Sequence, residues 1–366
     1  MSSRPSRVSL FWGSLDGGGV EHMMLALAEE FLGQGVDTDI VLMQKEGVLS
    51  ENVPPQARVF DLQAQRAAVG PLALARYLRY RCPPVLLSAG YTNRIALLAR
   101  TLAVAPTSIV ISERNNLTAS NSNSRLPDWI LNRLSGWVYP LADQVIAVSQ
   151  GVAEDVSQTL GLKESVEVVY NPVVGPQMLE LAEKPVEHSW FLDASIPVIL
   201  GAGRLVEQKD FSTLLRAFAK VRKTRQARLV ILGEGEKRPI LEYQARQLGI
   251  RDHVWMPGFV SNPMKYMADA SVFVLSSRWE GLGNVLIEAM ACGVPVVSTD
   301  CPSGPAEILE DGSYGRLVPV EDPSELAEGI EAALDGHVDP APLSALDRFR
   351  RDRVAEQYLD ILGSVA

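Results

Sequence analysis

The feature that most constrains the fold is an alternation of short apolar runs with stretches of helical periodicity. In the first half, strand-length runs occupy residues 8–12, 39–43, 85–88, 108–112 and 144–149. Helical patterns lie between them at 20–32, 71–80, 91–103 and 126–141. This alternation predicts βαβ units and therefore a parallel, doubly wound α/β sheet.

The alternation restarts in the second half of the chain. Apolar runs at 197–202, 228–232, 254–259, 271–275, 294–300 and 315–320 precede helical patterns at 323–334 and 349–362. A length of 366 residues suggests two domains. We expect residues 176–197 to be a linker between them, because an Asn-Pro turn at 171–172 ends the first half.

Composition excludes several classes of protein. A net charge of -10 argues against nucleic acid as a partner. No apolar run reaches the roughly 18 residues that span a bilayer, and the first apolar run is too short for a secretory signal. The three cysteines show neither metal spacing nor even pairing, which predicts a reducing, cytoplasmic location.

Ligands on doubly wound sheets bind beyond the carboxyl ends of the strands, so the residues after each strand are the candidates for a site. A glycine-rich loop, 13–19, follows the first run. After the run at 271–275 comes a glycine-containing loop and then a helix, for which Asn284 is the predicted N-cap. A strand, a loop and a helix in this order direct backbone amides at an anion, usually a phosphate.

The spacing Glu280-x7-Glu288 resembles the paired-glutamate signature of retaining GT-B glycosyltransferases, in particular family 4. Gly203-Arg204 with Lys209 is similar to the G-R-x4-K segment of that family, and loop 13–19 is similar to its glycine-rich loop. Together the similar stretches cover most of the chain. The resemblance implies the GT-B fold, two Rossmann-like domains facing across a cleft.

Domain boundaries and roles also follow from the resemblance. Residues 1–173 with the C-terminal helix, about 349–366, would form the N-terminal domain that binds the acceptor. Residues 174–348 would form the C-terminal domain that binds the nucleotide sugar.

The resemblance assigns catalytic roles to Arg204, Lys209 and Glu280. The two cations suit a diphosphate leaving group, Glu280 would contact the donor sugar ring, and Glu288 would hold the ribose. The whole predicted donor-binding set comprises Gly17, Gly18, Gly203, Glu234, Phe259, Val260, Gly281, Leu282, Gly283, Asn284, Val285 and Glu288.

Two stretches point to the acceptor. The run at 112–115, Ser-Glu-Arg-Asn, lacks the histidine that the family often carries there, and resembles a variant in transferases that build lipid-linked oligosaccharides. The run at 301–305, Cys-Pro-Ser-Gly-Pro, resembles the same subgroup. Glu113 and Arg114 are therefore predicted contacts to acceptor or donor.

The implied function is a retaining, metal-independent transfer of a hexose or N-acetylhexosamine, without a cofactor, in polysaccharide or glycoconjugate assembly. The donor is a nucleotide sugar, and UDP is favoured through the resemblance alone, since nothing in the residues excludes ADP or GDP. The acceptor is a lipid-linked glycan or, alternatively, diacylglycerol. In this mechanism the leaving phosphate accepts the proton of the acceptor.

A nicotinamide-dependent oxidoreductase is the competing class. It would need G-x-G-x-x-G, but after Gly201 and Gly203 the third glycine is replaced by Val206. Glu234 alone is ambiguous, because an acid at a strand end also bonds ribose in dehydrogenases. A catalytically inactive relative would have lost Lys209 or one of the glutamates.

Basic and aromatic residues end two helices of the first half. One group is the segment 76–81 at the end of the first of these helices. The other lies on the helix at 125–140, which carries Trp129, Arg133 and Trp137. Tryptophan, tyrosine and arginine suit a headgroup interface, which predicts peripheral contact of the N-terminal domain with the cytoplasmic face of the inner membrane. The same spacing also fits a helix packed on a sheet.

Overall fold

The computed structural model describes residues 4–119, 128–162 and 165–366, with the backbone alone at 128–131. The chain forms two compact units: Met1–Pro172 with Phe349–Ala366, and Val173–Arg348. Trp129 and the expected helix start at 125–127 therefore fall outside the described side chains.

The first unit is built on a seven-stranded parallel sheet in the order β3-β2-β1-β4-β5-β6-β7. Its strands are β1 (Arg7–Trp12), β2 (Asp37–Leu42), β3 (Arg58–Asp61), β4 (Val85–Ala89), β5 (Ser108–Glu113), β6 (Gln144–Ala147) and β7 (Glu167–Val168). Its helices are α1 (Gly19–Gly33), α2 (Gly70–Arg81), α3 (Asn93–Ala103), α4 (Asp128–Val138) and α5 (Gln150–Leu160). The central strands are buried along nearly their whole length, which explains their continuous apolar runs.

The second unit is built on a six-stranded parallel sheet in the order β10-β9-β8-β11-β12-β13. Its strands are β8 (Val198–Ala202), β9 (Arg228–Leu232), β10 (Val254–Gly258), β11 (Val272–Leu275), β12 (Val296–Thr299) and β13 (Arg316–Val318). Its helices are α6 (Gln177–Ala182), α7 (Ser189–Leu192), α8 (Phe211–Thr224), α9 (Arg238–Gln247), α10 (Met264–Ala268), α11 (Asn284–Ala291), α12 (Pro305–Ile308) and α13 (Pro323–Leu334).

The last helix, α14 (Arg351–Val365), belongs to the first unit. Its apolar face carries Val354, Tyr358 and Leu362, all fully buried in the same core cluster as Met24 and Phe31 of α1. Burying such side chains contributes roughly 1.5–3 kcal/mol each. The amphipathic pattern of the C-terminal tail therefore reflects packing on α1.

The strand order places one switch point in each sheet. The direction of winding reverses between β1 and β4 in the first unit, and between β8 and β11 in the second. The loops that leave two such neighbouring strands diverge, which opens a crevice at the carboxyl edge of the sheet. The glycine loop after β1 and the loops after β8 and β11 thus leave their sheets at these two points.

The structure corrects the expected elements in two places. Strands β3 and β7 and helices α5, α8, α9, α10 and α12 were not among the elements expected from the apolar pattern. The expected linker at 176–197 contains α6 and α7 and is packed on the second unit, with Asn262 Nδ2 donating to Leu181 O at 2.8 Å and Arg228 paired with Asp193 at 2.9 Å. Among the described residues, none of the helices is both long enough and apolar enough to cross a bilayer.

Candidate functional site

Two loops of the second unit are tied together beside the β8/β11 switch point. The backbone N–H of Arg278 donates to Gln208 O at 2.8 Å, and Gln208 Nε2 donates back to Trp279 O at 2.9 Å. Ser276 Oγ donates to Lys209 O at 2.8 Å. The loop after β8 and the loop after β11 therefore form one continuous surface.

Lys209 is positioned by structure on both sides. It ends a 3₁₀ turn, and the next residue, Asp210, caps α8 by accepting from Thr213 N at 3.2 Å. The stem of Lys209 crosses Gly203, where a Cβ would lie 3.2 Å from Cε of the lysine. Because Gly203 has no side chain, the lysine stem lies directly over the backbone that leaves β8.

Lys209 and Glu280 form an ion pair, with Nζ and Oε1 separated by 2.5 Å. Their side chains are only 15% and 7% exposed. Ser277 Oγ also donates to Oε1, at 2.6 Å, and Ser277 O accepts from Thr299 Oγ1 at 2.6 Å. Glu280 is thus a fixed anion that orients the lysine.

The geometry of the pair leaves capacity for a ligand. An ammonium has three donors, and Lys209 uses one of them on Glu280. Within the described parts of the chain, nothing donates a hydrogen bond to Oε2 of Glu280. The site therefore offers ammonium donors to an anion and a carboxylate oxygen to a hydroxyl.

Arg204 lies in the same loop as Lys209 and is exposed. No residue that the structure describes forms a hydrogen bond or an ion pair with its guanidinium. Its backbone is held by the turn, since Val206 N donates to Arg204 O and Leu205 N to Glu234 O, both at 2.8 Å. A strong bidentate donor on a fixed loop is suited to phosphate oxygens.

The start of α11 differs from the prediction. The N-cap is Gly283, with φ 101°, and Asn284 is already the first helical residue. Glycine is the residue that adopts this left-handed backbone without strain, which displaces Asn284 from the capping position. The first amides of a helix lack intrahelical partners and can donate to an anion. The predicted phosphate contacts at Gly281, Gly283 and Val285 therefore stay predictions that this helix start allows.

The run at 301–305 packs against the loop that precedes α11. Glu280 N donates to Pro302 O at 3.2 Å. At Gly304, φ 93°, a Cβ would lie 2.0 Å from Leu282 O. The nearby Cys301 thiol is buried, and this burial together with the charge of Glu280 raises its pKa to about 12. Cys301 is therefore a packed thiol and has no thiolate character at neutral pH.

Other predicted donor residues lie around the same sheet edge. Glu234 follows β9 and forms an ion pair with Arg238, which also donates to Met256 O at 2.6 Å. After β10, Phe259 is 69% exposed and Val260 is half-buried. Their contacts with a nucleobase or ribose stay predictions.

Glu288 is half-buried on α11, about two turns after Glu280. Its charge adds to burial in raising the pKa of the Cys292 thiol to about 12. A ribose contact by Glu288 stays a prediction.

The predicted glycines of the first unit lie after β1. Gly17 has φ 92°, and Gly18 is the N-cap of α1, which carries no capping side chain. His22, one turn into α1, has a pKa lowered by burial and by Arg351. Donor contacts by Gly17 and Gly18 stay predictions.

Glu113 and Arg114 are both buried and bonded within the first unit. Glu113 Oε2 accepts from Tyr139 Oη at 2.6 Å, and its Oε1 accepts from Arg114 N at 3.0 Å. The Arg114 guanidinium donates to Asn171 Oδ1 and, at 3.1 Å, to Tyr358 Oη. Arg114 thus connects the end of β5 with the Asn-Pro turn at 171–172 and with α14. Acceptor contacts by either residue stay predictions.

The structure therefore brings Lys209 and Glu280 into direct contact and places Arg204 on the same loop surface. The sequence interpretation missed Ser277, which fixes Glu280, although a polar residue two positions after strand β11 was a usable signal. Among the described residues, no three His, Cys, Asp or Glu side chains are grouped so as to hold a metal ion. Metal independence stays a prediction.

Two family models match the chain. Glycosyltransferase Family 4 matches residues 17–174, and Glycosyl transferases group 1 matches residues 188–345. They correspond to the two units and together span most of the sequence.

Relatives extend the match. An N-acetylgalactosamine-N,N'-diacetylbacillosaminyl-diphospho-undecaprenol 4-alpha-N-acetylgalactosaminyltransferase of Campylobacter jejuni is 28% identical and covers 90% of both chains. The lipopolysaccharide core biosynthesis glycosyltransferase LpsE of Rhizobium meliloti is 32% identical over 66% of this chain and 69% of that protein.

A solved structure shares the fold. Anabaena HepE in complex with UDP-glucose has a TM-score of 0.77 and 22% identity, covering 98% of this chain and 99% of that one. The predicted GT-B fold, with two parallel-sheet α/β domains, is confirmed. The chain belongs to glycosyltransferase family 4, and its activity is glycosyl transfer, as predicted.

Proposed function

We propose that this protein is a retaining glycosyltransferase that moves a hexose or N-acetylhexosamine from a UDP-sugar to a lipid-linked glycan. The observation that carries the proposal is the buried Lys209–Glu280 pair at the β8/β11 switch point, with exposed Arg204 on the same loop. This arrangement combines fixed positive charge with a carboxylate, as transfer from a sugar diphosphate requires.

In the proposed reaction, the bond between the anomeric carbon and the diphosphate oxygen breaks. The hydroxyl oxygen of the acceptor forms a new bond to the same face of that carbon, and its proton passes to the leaving phosphate. Arg204 and Lys209 stabilise the charge that develops on the diphosphate. Because Lys209 is already held by Glu280, and the turn fixes the backbone of Arg204, little reorganisation is needed as the bond breaks.

Glu280 has two roles in this proposal. Oε1 holds Lys209, at 2.5 Å, in the orientation that the diphosphate needs. Oε2 accepts a hydrogen bond from a hydroxyl of the donor sugar. Glu288 bonds the ribose, and the amides at the start of α11 meet the phosphates. The two cations supply the electrostatic stabilisation that a divalent metal provides in other transferases, so the proposed reaction needs no metal.

The acceptor class rests on the relatives. The Campylobacter jejuni relative, which covers 90% of the chain, is named for an acceptor carried on diphospho-undecaprenol. HepE, which shares the fold, was crystallised with UDP-glucose. These names support a lipid-linked glycan as acceptor and a UDP-sugar as donor.

A surface of the first unit favours action at a membrane. Tyr80 at the end of α2, Val104 at the end of α3 and Trp137 on α4 are 84%, 88% and 76% exposed. α3 packs against both α2 and α4, and Arg76 and Arg133 are exposed on the same helices. Aromatic and basic side chains together suit an anionic lipid surface, which also keeps diacylglycerol as an alternative acceptor.

One experiment tests donor, acceptor and stereochemistry together. The purified enzyme is incubated with a panel of UDP-, ADP- and GDP-sugars, and with either a polyprenyl-diphosphate-linked oligosaccharide or diacylglycerol, in the presence and absence of EDTA. We expect transfer from a UDP-sugar to the polyprenyl-linked acceptor, with the anomeric configuration of the donor kept in the product by NMR.

The outcomes separate the parts of the proposal. Inverted configuration would exclude the retaining mechanism, and loss of activity in EDTA, restored by Mg²⁺, would exclude metal independence. Transfer to diacylglycerol alone would assign the glycolipid alternative. In a separate calorimetric titration, binding of NADH without binding of UDP would support the competing oxidoreductase hypothesis.

A further inference from the structure

We propose that Tyr91 is the platform on which a sugar ring of the acceptor stacks, at the β1/β4 switch point of the first unit. The inference rests on the proposed function, because it takes the acceptor to be a glycan. It assigns a binding role to a residue outside all the motifs discussed above.

Tyr91 is held against bare backbone. It follows β4 and Gly90, which turns the chain with φ 71°. A Cβ built on Gly13 would lie 2.2 Å from Oη of Tyr91 and 2.8 Å from its Cζ. The phenol end therefore occupies the space of a side chain at position 13, while Tyr91 as a whole remains 63% exposed.

A second apolar side chain flanks the same loop. Val48 is 71% exposed, and its Cγ2 lies 3.1 Å from the position of a Cβ on Gly17. The loop that carries Val48 is bonded to the glycine loop, since Leu15 N donates to Glu46 O at 2.9 Å. Tyr91 and Val48 are thus fixed, exposed apolar groups that border the glycine loop.

The charges nearby select the ligand. Burial, and then the carboxylates of Glu21 and Asp16, raise the pKa of the Tyr91 phenol, which consequently stays protonated and able to donate. The negative charge of these two carboxylates, which reaches the ring, disfavours a phosphate there, and carboxylate oxygens can accept hydrogen bonds from sugar hydroxyls. A neutral pyranose has a C–H face for the aromatic ring and hydroxyls at its edge, so it matches this surface.

The principal test is the steady-state kinetics of Tyr91→Ala with the active UDP-sugar and polyprenyl-linked oligosaccharide from the panel above. We expect the KM for the acceptor to rise roughly 10- to 100-fold, as for the loss of one large aromatic contact. The KM for the donor, and slow hydrolysis of the donor without acceptor, should stay within twofold. Tyr91→Phe should keep most of the acceptor affinity, and Tyr243→Ala on α9, where Tyr243 is 58% exposed, is the matched control at another exposed tyrosine.

Gly13→Ala supplies an independent perturbation, because the new methyl group must displace the Tyr91 ring. It should raise the KM for the acceptor by itself but add nothing in the Tyr91→Ala background. Thermal unfolding and calorimetric UDP binding verify that each variant is folded.

Three results would overturn the inference: an unchanged acceptor KM in Tyr91→Ala, a raised donor KM in its place, or additive effects in the double variant. If the wild type transferred to no glycan acceptor at all, the proposed function itself would fail. If the wild type transferred normally and the Tyr91 variants matched it, only the role of Tyr91 would fail.

Discussion

Replacing Lys209 with methionine removes the cation from a pair whose side chains are only 15% and 7% exposed. The Glu280 carboxylate then keeps the Ser277 hydroxyl, at 2.6 Å, as its hydrogen-bond donor. Removing one partner of a buried ion pair costs about 3–5 kcal/mol, and the partial exposure of Lys209 places this case near the lower end, about 3 kcal/mol. For a unit of this size that lowers Tm by about 6–12 °C.

The same substitution should lower kcat by ~10²-fold or more, because it removes stabilisation of the leaving diphosphate. Stability and rate separate in the double variant Lys209→Met/Glu280→Gln. Its neutral amide no longer leaves an uncompensated buried charge, so most of the lost stability should return. The rate should not return, since no ammonium is present.

Differential scanning calorimetry and initial-rate kinetics measure the two effects. Lys237→Met is the matched control: Lys237 pairs with Glu207 at 3.6 Å, but the side chains are 34% and 61% exposed. An exposed pair contributes about 0–1 kcal/mol, so this variant should melt close to the wild type. A Tm for Lys209→Met equal to that of the control would refute the stability argument, and a wild-type rate in the double variant would refute the diphosphate role.

Three further predictions follow from the same structure. Arg204→Ala should leave Tm within about 2 °C of the wild type, because its guanidinium bonds to none of the described residues, yet lower kcat by ~10²-fold. A clear fall in Tm together with the fall in kcat would indicate a structural role. Gly304→Ala should destabilise the second unit by more than about 2 kcal/mol in urea titration, since its Cβ would lie 2.0 Å from Leu282 O at φ 93°; a stable variant would contradict the close packing. Burial raises the pKa of Glu113 above 4.5, so the folded state binds more protons and loses stability as pH rises through that raised pKa. Glu113→Gln should therefore gain stability relative to wild type as the pH rises above 4.5, measured by urea titration at successive pH values, and a difference independent of pH would show that the shift is absent.

The sequence predicted the two parallel sheets because the period and length of apolar runs report burial one element at a time. Elements with weak burial escaped it. β3 is largely exposed or half-buried, and β7 has only two residues, so neither produces a continuous apolar run. The Asn-Pro turn at 171–172 predicts a linker at 176–197, but the short helices α6 and α7 of this segment are ordered by packing within the second unit.

Family resemblance identified Arg204, Lys209 and Glu280 one by one, from local motifs. It did not predict that Lys209 and Glu280, 71 positions apart, form one buried pair with Ser277 behind it. Nor did it predict that Arg114 bonds to Tyr358, 244 positions away.

The sequence by itself therefore determined the kinds of elements, their order and the chemical groups after each strand. Which of those groups meet was decided by the tertiary structure alone. The parallel crossovers place β8 beside β11, and β1 beside β4, although other strands lie between them in the chain. Contacts between residues on either side of such a crossover depend on how the elements pack. Local periodicity reports which face of each element is buried, but not which other element covers that face.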